Sequence, residues 1–576
     1  MNMTTMHPLL VQLYGEELGT SVLARIESIL EQYRGQLPEP RAVGLSARDV
    51  VLITYPDQVQ HPGQAPLAAL MQFCRRRLAG LVSTVHVLPF YPSSSDDGFS
   101  VIDYRAVDPR YGEWKHVQEL GKHFRLMFDA VINHVSVGST WFQGLLQGDE
   151  RYLDYFVLPG EGADLTKTVR PRALPLLTVF STAHGERKIW TTFSPDQVDL
   201  NYQNPDVLLE IMDILLFYVL QGAEFIRLDA IAYLWKEPGT TSIHLPQTHW
   251  VIQLFRAALD EVAPHVILIT ETNVPHGENI SYFGDGANEA QMVYNFSLPP
   301  LVLHAFHTGS ADVLARWAGG LKLASDKVAF FNFLASHDGI GVNPLRGILP
   351  EAEIQSLAEM AAAHGGSVSM KASADGTQIP YELNINYFDA LNDPRSGESV
   401  EIQIERFVTA HAILLAMRGV PALYFHSLVG SRGWPEGVAL TGRARTINRE
   451  KLALAQLDGE LSDPDSLRSR VLTKLSRLLQ ARGGSPAFDP HADQSVLNFG
   501  KRIFAIARRT PSDELVLCLH NVSGDRCEID LSTETRAEVS TGAESMMDLI
   551  SGRRMPWLRP RTLELHPFQS VWLVRQ

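Results

Sequence analysis

Short apolar runs alternate with longer amphipathic stretches along most of the chain. Each run is apolar on both faces and is followed by a stretch long enough for a helix, which predicts parallel strands buried on both sides. There are eight such runs, at Val50–Tyr55, Val85–Tyr91, Leu126–Ile132, Phe225–Leu228, Val266–Thr270, Met292–Phe296, Ala329–Leu334 and Ala422–Phe425. Eight runs favour an α/β fold, a closed (β/α)8 TIM barrel, with an open doubly wound sheet as the alternative.

Three regions depart from this repeat. Residues 135–198 and 345–398 are longer than a strand-to-helix connection, so we expect inserted loop subdomains over the carboxyl ends of the strands. The N-terminal segment, residues 1–48, contains one predicted helix outside the main core, with apolar residues at helical spacing at Val22, Ile26, Ile29, Leu30 and Tyr33. The barrel itself is then expected in segments 49–134, 199–344 and 399–485.

The last part of the chain changes to alternating β character after the break Gly483-Gly484-Ser485-Pro486. Two alternating stretches on either side of Pro511-Ser512-Asp513 predict a hairpin. A further strand pair is predicted from Leu563, Leu565, Val571 and Leu573. Residues 486–576 are therefore expected to form a C-terminal all-β domain of the sandwich type.

Composition excludes several classes of partner. The chain has 50 Lys and Arg against 65 Asp and Glu, a formal net charge of −15, so its surface repels nucleic acid. Its three cysteines are odd in number and lack C-x-x-C spacing, which excludes a disulfide framework and a zinc site built from them. No apolar run approaches the ~20 residues of a membrane span, and no secretory signal begins the chain, so a cytoplasmic protein without a membrane partner is expected.

Acidic residues follow three of the predicted strands. Asp229 and Glu271 come directly after their apolar runs, and Asp338 follows Ser336-His337. One carboxylate in such a place is equally well explained as a helix cap or as the partner of an arginine. Three at one rim of a barrel would meet in a single pocket, where their mutual repulsion shifts their protonation equilibria. The pattern therefore predicts an acid–base site.

These carboxylates fit retaining glycoside chemistry, which needs one ionised nucleophile and one protonated acid. Arg227 lies two residues before Asp229, on the same strand face, and would keep that aspartate ionised. His134 and His337 stand at strand ends and would donate hydrogen bonds to sugar hydroxyls. Either histidine taken alone is more often a satisfied core residue.

Five segments, in this order, resemble the signature segments of the α-amylase superfamily: Asp129-Ala130-Val131-Ile132-Asn133-His134, Gln197-Val198-Asp199-Leu200-Asn201, Arg227-Leu228-Asp229-Ala230, Glu271 after its strand, and His337-Asp338. The chain is further similar to the sucrose phosphorylase group of that superfamily, through motifs that include Leu88-Pro89-Phe90-Tyr91, Asp96-Asp97-Gly98-Phe99, Arg170-Pro171-Arg172 and Leu298-Pro299-Pro300-Leu301. Within that group it resembles the glucosylglycerate phosphorylases, through Thr270-Glu271-Thr272-Asn273-Val274-Pro275-His276, Asn343-Pro344-Leu345-Arg346-Gly347, Tyr381-Glu382-Leu383-Asn384 and Gly430-Ser431-Arg432.

The resemblance implies a role for each acid. Asp229 would be the nucleophile, Glu271 the general acid/base and Asp338 the transition-state stabiliser. It further implies that the glucosyl ring is held by Asp96, Phe99, His134, Phe193, Tyr233, Arg227, His337 and Arg449. For an aromatic such as Phe193, core packing is the ordinary explanation, and the motif match is what favours a place in the site.

The phosphate and acceptor residues follow from the same resemblance. Arg172 and Tyr381 match loop residues that engage phosphate, although Arg172 equally fits a surface charge. Sucrose phosphorylases carry glutamine where this chain has Glu382, which disfavours sucrose. Glycerate is the acceptor implied, and an anionic acceptor needs a cation, for which Arg346 and Arg432 are candidates, each equally suited to a structural ion pair.

The function implied is phosphorolysis of an α-glucosyl glycerate to α-glucose 1-phosphate and glycerate, by double displacement through a covalent glucosyl-enzyme. Inorganic phosphate and a small α-glucoside would be the partners of a monomer or homodimer without a cofactor or metal. Enzymatic alternatives are a sucrose or glucosylglycerol phosphorylase, or a hydrolase or transglucosidase of the same fold. A catalytically inactive barrel used for binding or as a scaffold is disfavoured because all three acids are present.

Overall fold

Eight parallel strands close into a barrel in the computed structural model, which describes residues 3–42, 44–171, 174–372, 377–531, 545–556 and 562–575. In chain order they are β1 Val51–Thr54, β2 Thr84–Val87, β3 Arg125–Ala130, β4 Ala223–Leu228, β5 Ile267–Thr270, β6 Met292–Tyr294, β7 Ala329–Phe333 and β8 Val420–Tyr424. Each strand pairs with its neighbours in sequence, and β8 closes on β1. The predicted barrel is confirmed, and the open sheet is excluded.

Helices cover the outside of the barrel. Every residue of the eight strands is buried, which requires side-chain packing on both faces of the closed sheet. Several of these helices begin with proline, which suits a first turn because its missing N–H has no partner there. The helices are Pro66–Arg77, Trp114–Gly121, Pro205–Leu220, Pro246–Val262, His276–Asn279, Leu298–Thr308, Asp312–Gly320, Val400–Ala416, Phe425–Leu428, Pro435–Thr441, Leu454–Ser462 and Leu467–Gly483.

Two helices precede the barrel. The predicted one spans Glu16–Tyr33 and packs against Pro205–Leu220 and Pro246–Val262, outside the strands. The other, Met3–Tyr14, was not predicted because its apolar residues form a less regular pattern around Pro8. Within the described residues, no helix combines the length and apolar character that crossing a bilayer requires.

The first insertion begins and ends in one small antiparallel sheet. Strand His134–Ser136, shortly after β3, pairs with Gln197–Asp199. Between them lie helix Thr140–Gln147 and a hairpin of Leu177–Thr182 and Gly185–Trp190. This arrangement puts the whole insertion at the carboxyl end of the barrel.

The second insertion follows β7 at the same end. Strands Ile340–Gly341, Gln378–Asn384 and Ser367–Ala372 form a three-stranded antiparallel sheet with Gln378–Asn384 in the middle. Helices Glu351–Ala363 and Tyr387–Leu391 flank it. The residue bounds predicted for the insertions and for the barrel segments stay predictions.

The C-terminal region is all-β and has a core of its own. Its larger sheet has six strands, in the order Asp493–Leu497, Ile503–Arg509, Leu515–Asn521, Ser570–Arg575, Ser545–Asp548 and Arg554–Pro556. The predicted hairpin is formed by the second and third of these strands. The predicted pairing around Leu563 and Leu573 is wrong, because Thr562–Leu565 pairs with Cys527–Asp530 in a separate sheet. Leu565 and Ile529 bring that small sheet into the apolar core of the larger one.

Candidate active site

Three acidic side chains line one cleft at the carboxyl end of the barrel. Asp229 follows β4, Glu271 follows β5, and Asp338 comes shortly after β7. The register of β4 and β5 pairs Leu228 with Thr270, so the first two acids lie at the ends of adjacent strands. The cleft has a volume of about 840 Å³, its open mouth included. The structure thus brings together the three acids that the sequence predicted to converge.

Arg227 is the buried cation beside two of these acids. Its Nη1 donates to Asp229 Oδ1 at 2.9 Å and also to Asp129, and its Nη2 lies 3.8 Å from Glu271 Oε2. Asp129 in turn bonds His86 at 2.7 Å. A cation within this distance favours the ionised form of a carboxyl group, as the sequence predicted for Asp229.

Burial shifts the protonation of the two acids at adjacent strand ends. It raises the pKa of Asp229 to about 6 and that of Glu271 to about 7, while Arg227 opposes both shifts. Ala230, at φ 49°, donates its N–H to Glu271 Oε2 at 3.2 Å. Because Arg227 bonds Asp229 at 2.9 Å and lies 3.8 Å from Glu271, the favoured state has Asp229 ionised and Glu271 protonated, the division of roles that retaining glycoside chemistry uses.

Asp338 has the opposite electrostatic environment. Burial alone would raise its pKa, but Arg445, His337 and Arg449 hold the pKa of Asp338 well below its usual range. Arg445 Nη1 bonds Asp338 Oδ1 directly, and Arg449 Nη2 lies 3.5 Å from the same oxygen. Asp338 is therefore a permanent negative charge in the cleft, suited to stabilising positive charge on a sugar ring.

Histidine and aromatic side chains form the wall beside the acids. His337 stacks on Phe99 with ring centroids 4.9 Å apart, and Phe193 lies between His134 and Tyr233 at 5.4 and 5.5 Å. Burial lowers the pKa of His337 to about 3 and also lowers that of His134. Both rings are therefore neutral near pH 7, and a neutral ring offers one N–H donor and one acceptor nitrogen to sugar hydroxyls. All five residues line the cleft.

Two residues predicted to bind the glucosyl ring, Asp96 and Arg449, lie in different surroundings. Asp96 lines the cleft and accepts a bond from Gln197 at 3.2 Å. Arg449 is 6 % exposed and does not line the cleft; it bonds Asp97 and donates to the His337 carbonyl at 2.9 Å. Asp96 and Asp97 both adopt positive φ, 52° and 49°, a strained backbone of the kind that clusters at functional sites.

The predicted phosphate and acceptor residues divide into two groups. Tyr381 and Glu382 line the cleft, and so does Pro171, whose neighbour Arg172 lies outside the described residues. Arg346 bonds Glu351 and the Pro380 carbonyl, and Arg432 bonds Asp389 at 2.8 Å and Gln403. Neither arginine lines the cleft, so the structure favours the structural ion pair over acceptor binding for both.

Sequence reasoning missed Arg445, which lines the cleft and connects its two sides. Its Nε and Nη2 donate to Glu382 at 2.9 and 2.6 Å, while its Nη1 bonds Asp338. It lies on a short 3₁₀ helix, Ala444–Asn448, after β8. The only sequence signal was the cluster of basic residues that includes Arg443 and Arg449.

Lys236 is a second residue to which the sequence assigned no role, although its segment, Lys236-Glu237-Pro238-Gly239-Thr240, resembles the sucrose phosphorylase group. Its ammonium lies between the first insertion and β3, 2.9 Å from Asp199 Oδ2 and 2.8 Å from Asn133 Oδ1. All three side chains are buried. The Lys236 ammonium thus lies between the Asp199 and Asn133 side-chain oxygens. The described residues contain no group of three or more His, Cys, Asp or Glu arranged to hold a metal.

Comparison with known proteins identifies relatives of this chain. The α-amylase catalytic-domain model matches residues 79–339. A glucosylglycerate phosphorylase of Spirochaeta thermophila is 51% identical over 525 residues, 90% of this chain and 89% of its own. The chain belongs to the α-amylase family. Other members of the family with similar sequences are a glucosylglycerate phosphorylase of Escherichia coli, 43% identical over 98% of both chains, and a sucrose phosphorylase of Bifidobacterium adolescentis, 30% identical over 78% of this chain and 88% of its own.

Solved structures of the family share the architecture. The crystal structure of sucrose 6F-phosphate phosphorylase from Thermoanaerobacter thermosaccharolyticum superposes with a TM-score of 0.72 at 23% identity, covering 85% of this chain and 95% of that one. An α-amylase from H. orenii gives 0.66 at 18% identity, covering 92% and 99%. At these identities the likeness shows the fold alone.

Proposed function

We propose that the chain is a retaining phosphorylase that cleaves an α-glucosyl glycerate with inorganic phosphate. The observation that carries the proposal is the set of three cleft carboxylates, in which Arg227 bonds Asp229 at 2.9 Å and lies 3.8 Å from Glu271. Arg445 and Arg449 hold the pKa of Asp338, the third of them, well below its usual range. Similarity to three glucosylglycerate phosphorylases over 90% or more of the chain supports this substrate class. The proposal includes the cytoplasmic location and the monomeric or homodimeric state predicted from the sequence.

In the first half-reaction, Asp229 attacks the anomeric carbon and Glu271 gives its proton to the departing glycerate oxygen. Arg227, 2.9 Å from Asp229, stabilises the attacking carboxylate before the bond forms. Asp338 stabilises the positive charge that develops on the ring. The products are free glycerate and a covalent β-glucosyl-enzyme, inverted at the anomeric carbon.

In the second half-reaction, phosphate occupies the place that glycerate left and attacks the same carbon. Glu271, now ionised, accepts or shares the phosphate proton, so it acts as base where it had acted as acid. The second inversion restores the α configuration in glucose 1-phosphate. We assign phosphate binding to Tyr381 and Arg172, since Tyr381 and Pro171 both line the cleft.

An acceptor screen tests the proposal. The protein is incubated with α-glucose 1-phosphate and, separately, glycerate, glycerol or fructose, and phosphate release and the glucoside formed are measured. Glycerate should give the fastest release and a glucosyl glycerate product. Faster release with fructose or glycerol would identify that compound as the acceptor, and release of free glucose with every acceptor, without a new glucoside, would indicate a hydrolase. No turnover with any acceptor would favour the inactive barrel.

A further inference from the structure

The cleft has few positive charges for a site proposed to bind two anions. Among the described residues that line it, five are acidic and one is basic: Asp96, Asp229, Glu271, Asp338 and Glu382 against Arg445. Arg445 is already engaged by two of those carboxylates, and the two histidines of the wall are neutral. Stable binding of a carboxylate acceptor therefore calls for a further cation close to the acceptor side.

The two arginines suggested by the sequence do not meet this need. The guanidinium of Arg346 bonds the Glu351 carboxylate, and that of Arg432 bonds Asp389. Each positive charge is thus compensated by a neighbouring carboxylate, and neither arginine lines the cleft.

Lys371 does not line the cleft either, but it differs from both arginines in its partners and in its contact with a residue that does. It lies on strand Ser367–Ala372, which pairs with the strand that supplies Tyr381 and Glu382 to the cleft. Its Nζ donates to Asn343 Oδ1 at 2.7 Å and stands 5.7 Å from the centre of the Tyr381 ring. In the described part of the chain no carboxylate forms an ion pair with it, and burial together with Arg346 lowers the pKa of Lys371.

Hydrogen bonds through Asn343 connect Lys371 to Asn273 in the cleft. Asn343, the hydrogen-bond partner of Lys371, donates through Nδ2 to the Asn273 carbonyl at 3.2 Å. Asn273 lines the cleft, and its buried Oδ1 has no hydrogen-bond partner among the described residues. Lysine carries its charge on a flexible four-carbon stem, so Nζ can exchange Asn343 for an anion beside Tyr381 with small side-chain rotations.

We propose that Lys371 recognises the carboxylate of the anionic acceptor and so determines acceptor specificity. The inference rests on the proposed function, because it presumes that an anionic acceptor enters the cleft. Its chemistry is one charge-assisted hydrogen bond, available to glycerate and absent for glycerol, which has the same carbon skeleton without the charge. The groups that break the glucosyl bond play no part in this discrimination.

The test compares Lys371→Met with Lys371→Arg in the direction that consumes glucose 1-phosphate. For Lys371→Met, the KM for glycerate should rise about 10- to 100-fold, as expected for losing a hydrogen bond to a charged group, while kcat at saturation changes less than about threefold. The slow transfer to glycerol or to water should stay within about twofold. Lys371→Arg should recover much of the lost glycerate affinity because it keeps the charge.

Lys474→Met is the control for removing a lysine charge, since Lys474 pairs with Glu405 on the outside of the barrel. Equal losses for glycerate and glycerol in Lys371→Met would indicate a structural role and overturn the inference. A raised KM for phosphate with an unchanged KM for glycerate would overturn it too, and would move Lys371 to the phosphate. If the unchanged protein ignores glycerate but transfers to another acceptor, the proposed function fails instead.

Discussion

The two halves of the cleft are built in different ways. In the half proposed to hold the glucosyl ring, Asp229 and Glu271 stand directly on barrel strands and share the buried cation Arg227. In the half proposed for the acceptor, Tyr381 and Glu382 come from an inserted hairpin. In the first half, strand register fixes the positions of the charged side chains. In the second half, those positions depend on how the insertion packs.

This difference separates bond breaking from acceptor choice. A barrel strand is held by hydrogen bonds on both sides, so the position of a residue at its end varies little. The strand that carries Tyr381 and Glu382 is also paired on both sides, but within the inserted sheet, so the insertion tolerates change without disturbing the barrel strands. One set of acids can therefore serve phosphorylases with different acceptors, provided that the insertions differ.

The largest effect is expected on the glucosyl side. Asp229→Asn removes the attacking carboxylate and should lower kcat by about 10⁴-fold or more, and Glu271→Gln should also abolish most turnover. Steady-state phosphate release from glucose 1-phosphate measures both. Asp458→Asn, in a surface ion pair with Arg76, should leave the rate within twofold. Near-normal rates in both active-site variants would contradict the assigned roles.

Lys236 tests how firmly the first insertion is anchored to the barrel. Lys236→Met leaves Asp199 as an uncompensated buried charge and should lower the free energy of unfolding by about 3–5 kcal/mol, measured by urea denaturation. Adding Asp199→Asn should return part of that loss, because the unpaired charge is then gone. A change below about 1 kcal/mol would show that this ion pair does not hold the insertion.

Arg445 connects the two halves, so its removal should affect both. Arg445→Gln weakens the interaction with Asp338 and with Glu382, and we expect kcat/KM for the glucosyl donor to fall about 10²- to 10³-fold. Arg443→Gln, a change to an exposed arginine of the same segment, serves as the comparison variant. An effect restricted to acceptor KM would place Arg445 in the acceptor half alone.

The smallest expected effect is the pH dependence of kcat/KM, which is set by the two acids of the glucosyl half. Activity requires Asp229 without its proton and Glu271 with its proton, so kcat/KM should fall below pH about 6 and above pH about 7. Each limb approaches tenfold per pH unit. Because Lys371 acts only on the acceptor, Lys371→Met should keep both limbs, and a profile displaced by a full unit would contradict the separation of the halves.

The glucosyl half could be predicted from sequence because its signal is local. A mostly apolar run followed by a carboxylate identifies both a buried strand and its carboxyl end, which is how Asp229 and Glu271 were found. Arg445 and Lys371 stand in polar surroundings whose place depends on packing between distant segments. Glu351 lies only 5 positions from Arg346 in sequence, whereas Asp389 lies 43 positions from Arg432, so sequence distance alone did not show which carboxylates would compensate these charges.

Strand pairing at the C-terminus was missed for a similar reason. Alternation located the strand Thr562–Leu565, but its partner Cys527–Asp530 lies far upstream. Alternation shows which face of a strand is buried and says nothing about which strand lies beside it. The hairpin around Pro511-Ser512-Asp513 was predictable because its partners are neighbours in sequence.

The pairing of Arg449 with Asp97 spans 352 positions of the chain. Asp229, Glu271 and Asp338 all emerge from the ribosome before Arg445 and Arg449 do. A chain that ended before β8 would therefore carry the complete acidic set and still lack the strand that closes the barrel and the two arginines beside Asp338. The complete set of charges around Asp338 thus requires both the final barrel strand and the segment that follows it.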